Sequence, residues 1–98
     1  MGARMERKTF VFDGNNFSNL EEFYSAVEKV LTKDFKEFGR NLDAFSDVLC
    51  GGFGRFEYEE PITIVWLNTN KSKKELGAAF STLIEIIKKQ PHIQLIIK

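Results

Sequence analysis

The sequence predicts one small α/β domain, and three features lead to this fold class. The chain has 98 residues, enough for one hydrophobic core and too few for a second. Three short runs rich in β-branched and aromatic residues alternate with helical patterns, and strands separated by helices are typical of a parallel sheet. One of these runs, Ile62–Leu67, contains no charged residue, which predicts a central strand buried on both faces.

The first third of the chain predicts a strand followed by a helix. Lys8–Asp13 has the composition of a strand, and turn-forming residues at 13–15 end it. Ser18 and Glu21 have the spacing of a capping box with Ser18 as the N-cap, so a helix is predicted from there to about Thr32. The buried side of this helix is predicted to consist of Leu20, Phe23, Tyr24, Val27, Val30 and Leu31.

A second, shorter helix is predicted between Asn41 and Gly51. Asn41 is a good N-cap, and Gly51 suits the position after a helix, where a left-handed backbone is common. The helical spacing predicts a buried stripe made of Leu42, Phe45, Val48 and Leu49. The same spacing leaves three polar residues on the solvent side, namely Asp43, Ser46 and Asp47.

The two carboxylates of this short helix have different local explanations. Asp43 lies in the first turn, where the positive end of the helix dipole favours a negative charge. Asp47 lies near the last turn, where the dipole opposes it by about 0.3 to 1 kcal/mol. It also repels Asp43, which is four residues away on the same face. An exposed acid in an unfavourable position indicates that it binds a cationic partner.

The second half of the chain predicts a strand, a helix and a last strand. After Ile62–Leu67, Asn68–Lys74 is predicted to be a polar turn with about one helical turn. A final helix is predicted from about Lys73 to Lys89, because Pro91 cannot continue it. Its apolar stripe is Leu76, Phe80, Leu83, Ile84 and Ile87. Ile93–Ile97 is predicted to be the last strand.

Composition indicates a soluble protein of a reducing compartment, and we expect a cytoplasmic location. The single cysteine, Cys50, cannot form an internal disulfide. No apolar stretch approaches the roughly 20 residues of a membrane span, and Met1–Met5 has no apolar core of a secretory leader. Residues 1–7 are expected to be a disordered N-terminal end, and residues 8–98 a single domain.

The net charge of zero hides a separation of acids and bases along the chain. Residues 34–60 contain seven acids against three bases, a net charge of −4. Residues 71–98 contain two acids against six bases, a net charge of +4. The acidic segment includes the short helix, which predicts an acidic face able to steer a basic partner in a salt-dependent way.

The short helix and its flanks carry a resemblance to a known family. The run G-x-N-L-D-A-x-x-D-x-L-x-G resembles the signature helix of the barstar family of intracellular ribonuclease inhibitors. It consists of Gly39, Asn41, Leu42, Asp43, Ala44, Asp47, Leu49 and Gly51. The likeness extends from about Lys8 to Lys98 and implies a three-stranded parallel sheet in the order 1-2-3, with helices packed against it. It also implies an immunity protein that inhibits a secreted barnase-like ribonuclease inside the producing cell, as a monomer in a 1:1 complex.

The resemblance also implies which residues bind the ribonuclease. Its acidic helix and adjoining loop would block the active site, with carboxylates in place of substrate phosphates. The matching contact residues are Asp43, Asp47, Gly51 and Glu85. Glu85 also has an ordinary interpretation, since it precedes Lys89 by four residues in the orientation that favours a helical ion pair.

The chain departs from the family pattern at several of its contact positions. Three residues stand where barstar presents aromatic side chains in the contact loop and helix, namely Glu37, Ser46 and Gly52. A second acid expected near Glu85 is replaced by Lys89. Because aromatic anchors usually dominate binding energy, a target other than barnase, or a lower affinity, stays open.

An enzymatic function is not expected, and neither is a cofactor or a metal. His92 is the only histidine and precedes the last predicted strand, which favours an ordinary turn residue. Cys50 has no second cysteine or nearby histidine for zinc binding or nucleophilic catalysis, so packing at a helix end is favoured. The glycines at 51–54 lack the lysine and hydroxyl residue of a phosphate-binding loop.

Two binding functions remain as alternatives to ribonuclease inhibition. The first is a barstar-like interaction module with a partner that is not a ribonuclease. The second is nucleic-acid binding by the lysines of the last third, with Phe53, Phe56 and Tyr58 stacking on bases. Such lysines more often form a solvated helix surface and such aromatics more often pack in the core, so nucleic acid is not the expected partner. Neither is a membrane.

Overall fold

The computed structural model describes residues 7–33 and 39–98, and in these residues the chain has the predicted α/β architecture. The elements in chain order are β1 (Lys8–Asp13), α1 (Leu20–Leu31), α2 (Leu42–Cys50), β2 (Ile62–Leu67), α3 (Thr69–Leu76), α4 (Ala78–Lys88) and β3 (Ile93–Ile97). A single 3-10 turn, Gly14–Asn16, follows β1. The strand bounds coincide with those that the sequence predicts.

The three strands form one parallel sheet in the order β1-β2-β3, which confirms the predicted topology. The central strand β2 pairs with both neighbours, so that Trp66 lies opposite Phe12 on one side and Ile97 on the other. The expected disordered end at residues 1–7 falls outside the described residues except at Arg7. The guanidinium of Arg7 donates to the carbonyl oxygen of Ile62 at 2.8 Å.

Aromatic rings around Trp66 form the centre of the hydrophobic core. The Trp66 ring stacks on Phe23 at a centroid distance of 5.3 Å and meets Phe80 edge-on at 5.2 Å. Its indole N–H is buried, and it donates to the hydroxyl of Ser72 at 2.9 Å. Each of the helices α1 to α4 contributes buried apolar side chains to this same core, so the helices and the sheet share one hydrophobic cluster.

The prediction that β2 is buried on both faces holds only in part. Ile62, Ile64 and Trp66 are fully buried. On the opposite face Thr63 is buried, whereas Val65 and Leu67 are only half-buried. Val11, which pairs with Val65 in the neighbouring strand, is 46% exposed. The reason is topological. Connections between parallel strands are right-handed in nearly all proteins, and two connections that step in the same direction place their helices on the same face of the sheet.

The first helix begins one residue later than predicted. Asn19, not Ser18, is the N-cap, because its side chain accepts the backbone N–H of Glu22 at 2.8 Å. The carboxylate of Glu22 accepts the backbone N–H of Ser18 at 2.7 Å in return. The two registers are locally equivalent, since Ser and Asn are both common caps and an acid follows each at the same spacing. The buried stripe is as predicted, except that Leu20 and Val30 are only half-buried.

The single long helix predicted at 73–89 is two helices in the structure. α3 begins at Thr69, within the segment predicted as a polar turn, and ends at Leu76. Gly77 then has a φ of 58°, which a helix cannot contain, and α4 starts at Ala78. The five apolar residues predicted to be buried are nevertheless all buried. A glycine at a left-handed position is the usual way to end a helix, so Gly77 explains the break.

We expect the backbone amides of β2 to exchange with solvent more slowly than those of β1 and β3. Their hydrogen bonds lie on both sides of the strand and next to the fully buried Ile62, Ile64 and Trp66, so exchange requires near-global opening. Native-state hydrogen exchange followed by NMR measures this residue by residue, with the edge strands as the internal control. Exchange of the β2 amides at the rate of the loops would contradict the assignment of β2 as the central strand.

Candidate functional site

The short helix α2 has the ends that the sequence predicts. The side chain of Asn41 caps it by accepting the backbone N–H of Ala44 at 2.8 Å. At the other end Gly51 has a φ of 100°, and its N–H donates to the carbonyl of Val48 at 3.0 Å. Phe45, Val48 and Leu49 are fully buried as predicted.

Leu42 differs from the prediction, because it is 39% exposed rather than buried. It occupies the first position of α2, and helical side chains lean towards the N-terminus. The Leu42 side chain therefore extends past the end of the helix instead of into the core. The exposed side of α2 begins with an apolar residue.

Arg40 anchors the start of α2 to α1. Its guanidinium donates to the Glu28 carboxylate at 3.0 Å and to the Ser25 hydroxyl at 3.1 Å, and it pairs with Glu21 at 3.3 Å. The backbone of Arg40 is left-handed, with a φ of 51°. The ring of Phe45 also meets the ring of Phe23 in α1 edge-on, at a centroid distance of 5.3 Å. These contacts fix the position of the turn that carries Asp43.

The segment between α4 and β3 holds the other end of α2. The Gln90 amide donates to the Ser46 hydroxyl at 3.3 Å, and the Cys50 thiol donates to the side-chain oxygen of Gln90 at 3.8 Å. His92 Nε2 lies 2.7 Å from the carbonyl oxygen of Leu49, so the imidazole N–H donates to one of the last carbonyls of the helix. His92 is therefore more than the ordinary turn residue that the sequence favours. It caps the end of α2.

Asp43 and Asp47, called the acidic face below, are both exposed on α2, as their helical spacing predicts. Within residues 7–33 and 39–98, neither carboxylate forms an ion pair or a side-chain hydrogen bond. The helix also has no basic residue in its last turn to offset Asp47. Arg40, which is close in sequence, is already engaged by α1.

The environment of Cys50 includes carboxylates from two segments, Asp47 of α2 and Glu59. Burial raises the pKa of the Cys50 thiol, and the negative charges of Asp47 and Glu59 raise it further. Glu59 also donates its backbone N–H to the carbonyl of Cys50 at 2.6 Å. The thiol is therefore kept protonated at neutral pH, consistent with the packing role expected for it.

The other predicted contact residues fall into different environments. Gly51 is buried, and a Cβ there would lie 2.3 Å from the carbonyl oxygen of Glu57. Gly52 is exposed, with no atom within 4 Å of the position of a Cβ. Ser46 is half-buried against Gln90. Glu37 lies outside the described residues, so its predicted role stays a prediction.

Glu85 is exposed on α4, which packs against α2. The ion pair between Glu85 and Lys89 that the sequence offers as an ordinary interpretation does not form among the described residues. The Glu85 side chain is therefore available to a partner, like the side chains of Asp43 and Asp47. Lys89 is exposed as well.

The aromatic residues considered for base stacking do not form a common surface. Phe56 is buried and contacts Phe10 at 5.4 Å, and Phe53 is half-buried. Only Tyr58 of the three is exposed, at 68%. Three glutamates surround it in sequence, at 57, 59 and 60, and their charge repels the phosphates of a nucleic acid.

Metal clusters, membrane-crossing helices and grooves are three further features of the described residues. In the described part of the chain, no group of three or more His, Cys, Asp and Glu residues is arranged to hold a metal ion. None of the helices found there has both the length and the apolar character required to cross a bilayer. A groove of about 600 Å³ lies between β1 and α1, and none of the predicted contact residues lines it.

Comparison with known protein families gives a match that covers most of the chain. The model of the Barstar family, described as barstar (barnase inhibitor), matches residues 7–92. A comparison with curated protein sequences finds no match. The matched range includes every described element except β3, and it contains the capped helix α2 with its acidic face. The chain belongs to the Barstar family of barnase inhibitors.

Proposed function

We propose that this protein inhibits a secreted barnase-like ribonuclease inside the cell that produces it, by covering the active site with α2 and the adjoining loop. The observation that carries the proposal is the exposed, unpaired carboxylate of Asp47. It lies at the wrong end of the helix dipole, in a chain that belongs to a family of barnase inhibitors. A position that costs stability and has no ionic or hydrogen-bonding partner among the described residues is best explained by an external one.

The chemistry of the target supports this role for the acidic face. A ribonuclease binds a phosphodiester polyanion, so its active-site cleft must present cationic groups. Asp43 and Asp47 are one helical turn apart, and both are exposed on the side away from the core. They can therefore occupy the places of substrate phosphates, with charge-assisted hydrogen bonds from arginine, lysine or histidine of the enzyme. A helix held in such a cleft excludes RNA without any chemical step.

The proposed contact set includes residues beyond these two carboxylates. Glu85 contributes a third carboxylate from α4, while Ser46 and Gly52 are the exposed or partly exposed positions next to the acidic face. Gly51 contributes by its backbone, since it is buried and has no side chain. Glu37, which precedes α2 in the sequence and lies outside the described residues, completes the proposed contact set.

The anchoring contacts of α2 support an inhibitor that is preorganised. The start of the helix is tied to α1 through Arg40, and its end to the α4–β3 segment through Gln90 and His92. A contact helix that is rigid before binding loses less conformational entropy on association, which raises affinity. Binding then requires no rearrangement of this helix, and a 1:1 complex with the monomer suffices.

The proposal is tested by titrating the protein into a purified ribonuclease of the barnase class and following RNA cleavage. We expect complete inhibition at one equivalent, and association that slows steeply between low and physiological salt while dissociation changes little. A basic ribonuclease of an unrelated fold serves as the control for nonspecific charge attraction. No inhibition by an excess of protein would contradict the function, and an association rate that is independent of salt would contradict steering by the acidic face.

A further inference from the structure

The turn Glu57–Glu60 is held rigidly beside the end of α2. The backbone N–H of Glu60 donates to the carbonyl of Glu57 at 3.0 Å, and the Glu60 carboxylate accepts the N–H of Glu57 at 2.8 Å. Lys8 pairs with the same carboxylate at 3.4 Å. Tyr58 and Glu59 therefore occupy the two central positions of a closed turn that is fixed to β1 at its base.

One backbone hydrogen bond joins this turn to α2, and a second joins the residues that flank them. Glu59 donates its N–H to the carbonyl of Cys50, the last residue of the helix, at 2.6 Å. Gly52, directly after the helix, donates to the carbonyl of Phe56 at 2.9 Å. Gly51 is close to Glu57 because it has no Cβ. The turn is therefore attached to the end of the helix that carries the acidic face.

The surface of α2 offers acids and one apolar residue, but no aromatic anchor for a partner. Its exposed side consists of Leu42, Asp43 and Asp47, with Gly52 just beyond. Interfaces of high affinity are usually centred on a buried aromatic side chain, and tyrosine is among the most enriched. Tyr58 is 68% exposed on the turn that adjoins this surface, and no interaction of its side chain is present among the described residues.

We propose that Tyr58 is an aromatic anchor for the ribonuclease, with Glu59 as a peripheral carboxylate, so that the binding surface extends from α2 to the turn Glu57–Glu60. This inference rests on the proposed function and adds to it a contact outside the resemblance. Charge favours the same occupant, because Asp47 and Glu59 are both exposed and both lie close to Cys50, and negative charges there attract a cationic cleft. The phenol ring then packs against the rim of that cleft while the carboxylates face its cations.

The first test compares Tyr58→Ala with Val11→Ala in binding to a purified ribonuclease of the barnase class. Both residues are exposed, but Val11 lies on the uncovered face of the sheet. We expect Tyr58→Ala to raise the dissociation constant at least about 30-fold, the threshold of an energetic hot spot, and Val11→Ala to leave it unchanged. Glu59→Gln should lower the association rate mainly at low salt. Melting curves check that each variant is folded.

A second test does not depend on substitution. Hydroxyl-radical modification of Tyr58 in the wild-type protein should fall when the ribonuclease is added, while that of Val11 stays constant. The inference is wrong if Tyr58 is as reactive in the complex as it is in the free protein. It is also wrong if Tyr58→Ala binds within about threefold of wild type while Asp47→Ala does not. In both cases the inhibitor function stands. If the wild-type protein neither binds nor inhibits the ribonuclease, the proposed function and this inference fail together.

Discussion

Replacing Asp47 with alanine is expected to weaken inhibition of the target ribonuclease by about 2 to 5 kcal/mol, the usual effect of truncating one member of a buried charge pair. Part of that range comes from the barnase–barstar pair itself, so the magnitude is borrowed from the family. The folded protein should stay as stable as before or become slightly more stable. The two expected effects have opposite signs because the proposal assigns Asp47 to the partner and not to the fold.

The expected gain in stability has three local causes. Asp47 opposes the helix dipole near the last turn, and it repels Asp43 at a distance of one turn. Alanine also has a higher helix propensity than aspartate, by up to about 0.7 kcal/mol. No ion pair or side-chain hydrogen bond of Asp47 with the rest of the described chain is lost. Removing this carboxylate also lowers the pKa of the Cys50 thiol, since the charge of Asp47 helps to raise it.

Asp43→Asn is the matched control on the same face of the same helix. Asp43 lies in the first turn of α2, where its charge is favourable, so this change should cost more stability and less binding than Asp47→Ala. Thermal melting and inhibition measured on both variants separate the two roles. If Asp47→Ala destabilises the fold while inhibition persists, Asp47 is a structural residue and the proposed mechanism is wrong.

The sheet is predictable from the sequence because its pattern is local. Ile62–Leu67 lacks charge, and Lys8–Asp13 and Ile93–Ile97 are bounded by turn residues or proline, so their limits follow from sequence alone. This pattern does not predict that one face of the sheet is open. An apolar residue such as Val65 can lie either on a face covered by helices or on an uncovered one. The strand order together with the handedness of the connections does indicate it.

The helix ends are less predictable, because neighbouring residues compete for the same position. Ser18 and Asn19 are both good caps, and only the folded chain selects Asn19. Gly77 is compatible with the interior of one long helix, although a glycine between two apolar patterns can also end the first of them. The apolar residues predicted to be buried between positions 73 and 89 are buried all the same, because α3 and α4 both direct them at the same core.

For the candidate site, the sequence predicts which residues α2 exposes and not what holds the helix in place. The capping of α2 by Asn41, the burial of Phe45 and the exposure of Asp43 and Asp47 all follow from local pattern. The bonds that hold the end of the helix, from Gln90 and His92, join residues more than forty positions apart in the chain. Such tertiary contacts leave no trace in a local pattern, and the attachment of the turn Glu57–Glu60 to α2 is unpredicted for the same reason.

Replacing Gly51 with alanine is expected to destabilise the protein by roughly 3 to 5 kcal/mol, from backbone strain and steric overlap together. Its φ of 100° and ψ of −177° lie in a region that is essentially restricted to glycine, which costs a residue with a Cβ about 1 to 3 kcal/mol. The added Cβ would also lie 2.3 Å from the carbonyl oxygen of Glu57, a backbone atom that cannot rotate away. Relieving this overlap requires moving the turn Glu57–Glu60 away from α2, at a cost typical of overpacking, about 1 to 3 kcal/mol.

Gly52→Ala is the control for Gly51→Ala, because it adds the same methyl group one residue later. Gly52 also has a positive φ, of 90°, but nothing lies within 4 Å of its Cβ position. Only the backbone strain remains, so its loss of stability should be smaller by the cost of the overlap. Denaturant unfolding of both variants, with inhibition measured on the fraction that is folded, gives the comparison. Equal losses of stability would mean that the close approach of Gly51 to Glu57 is unimportant. The turn that bears Tyr58 would then not be fixed to α2, as the proposed binding surface requires.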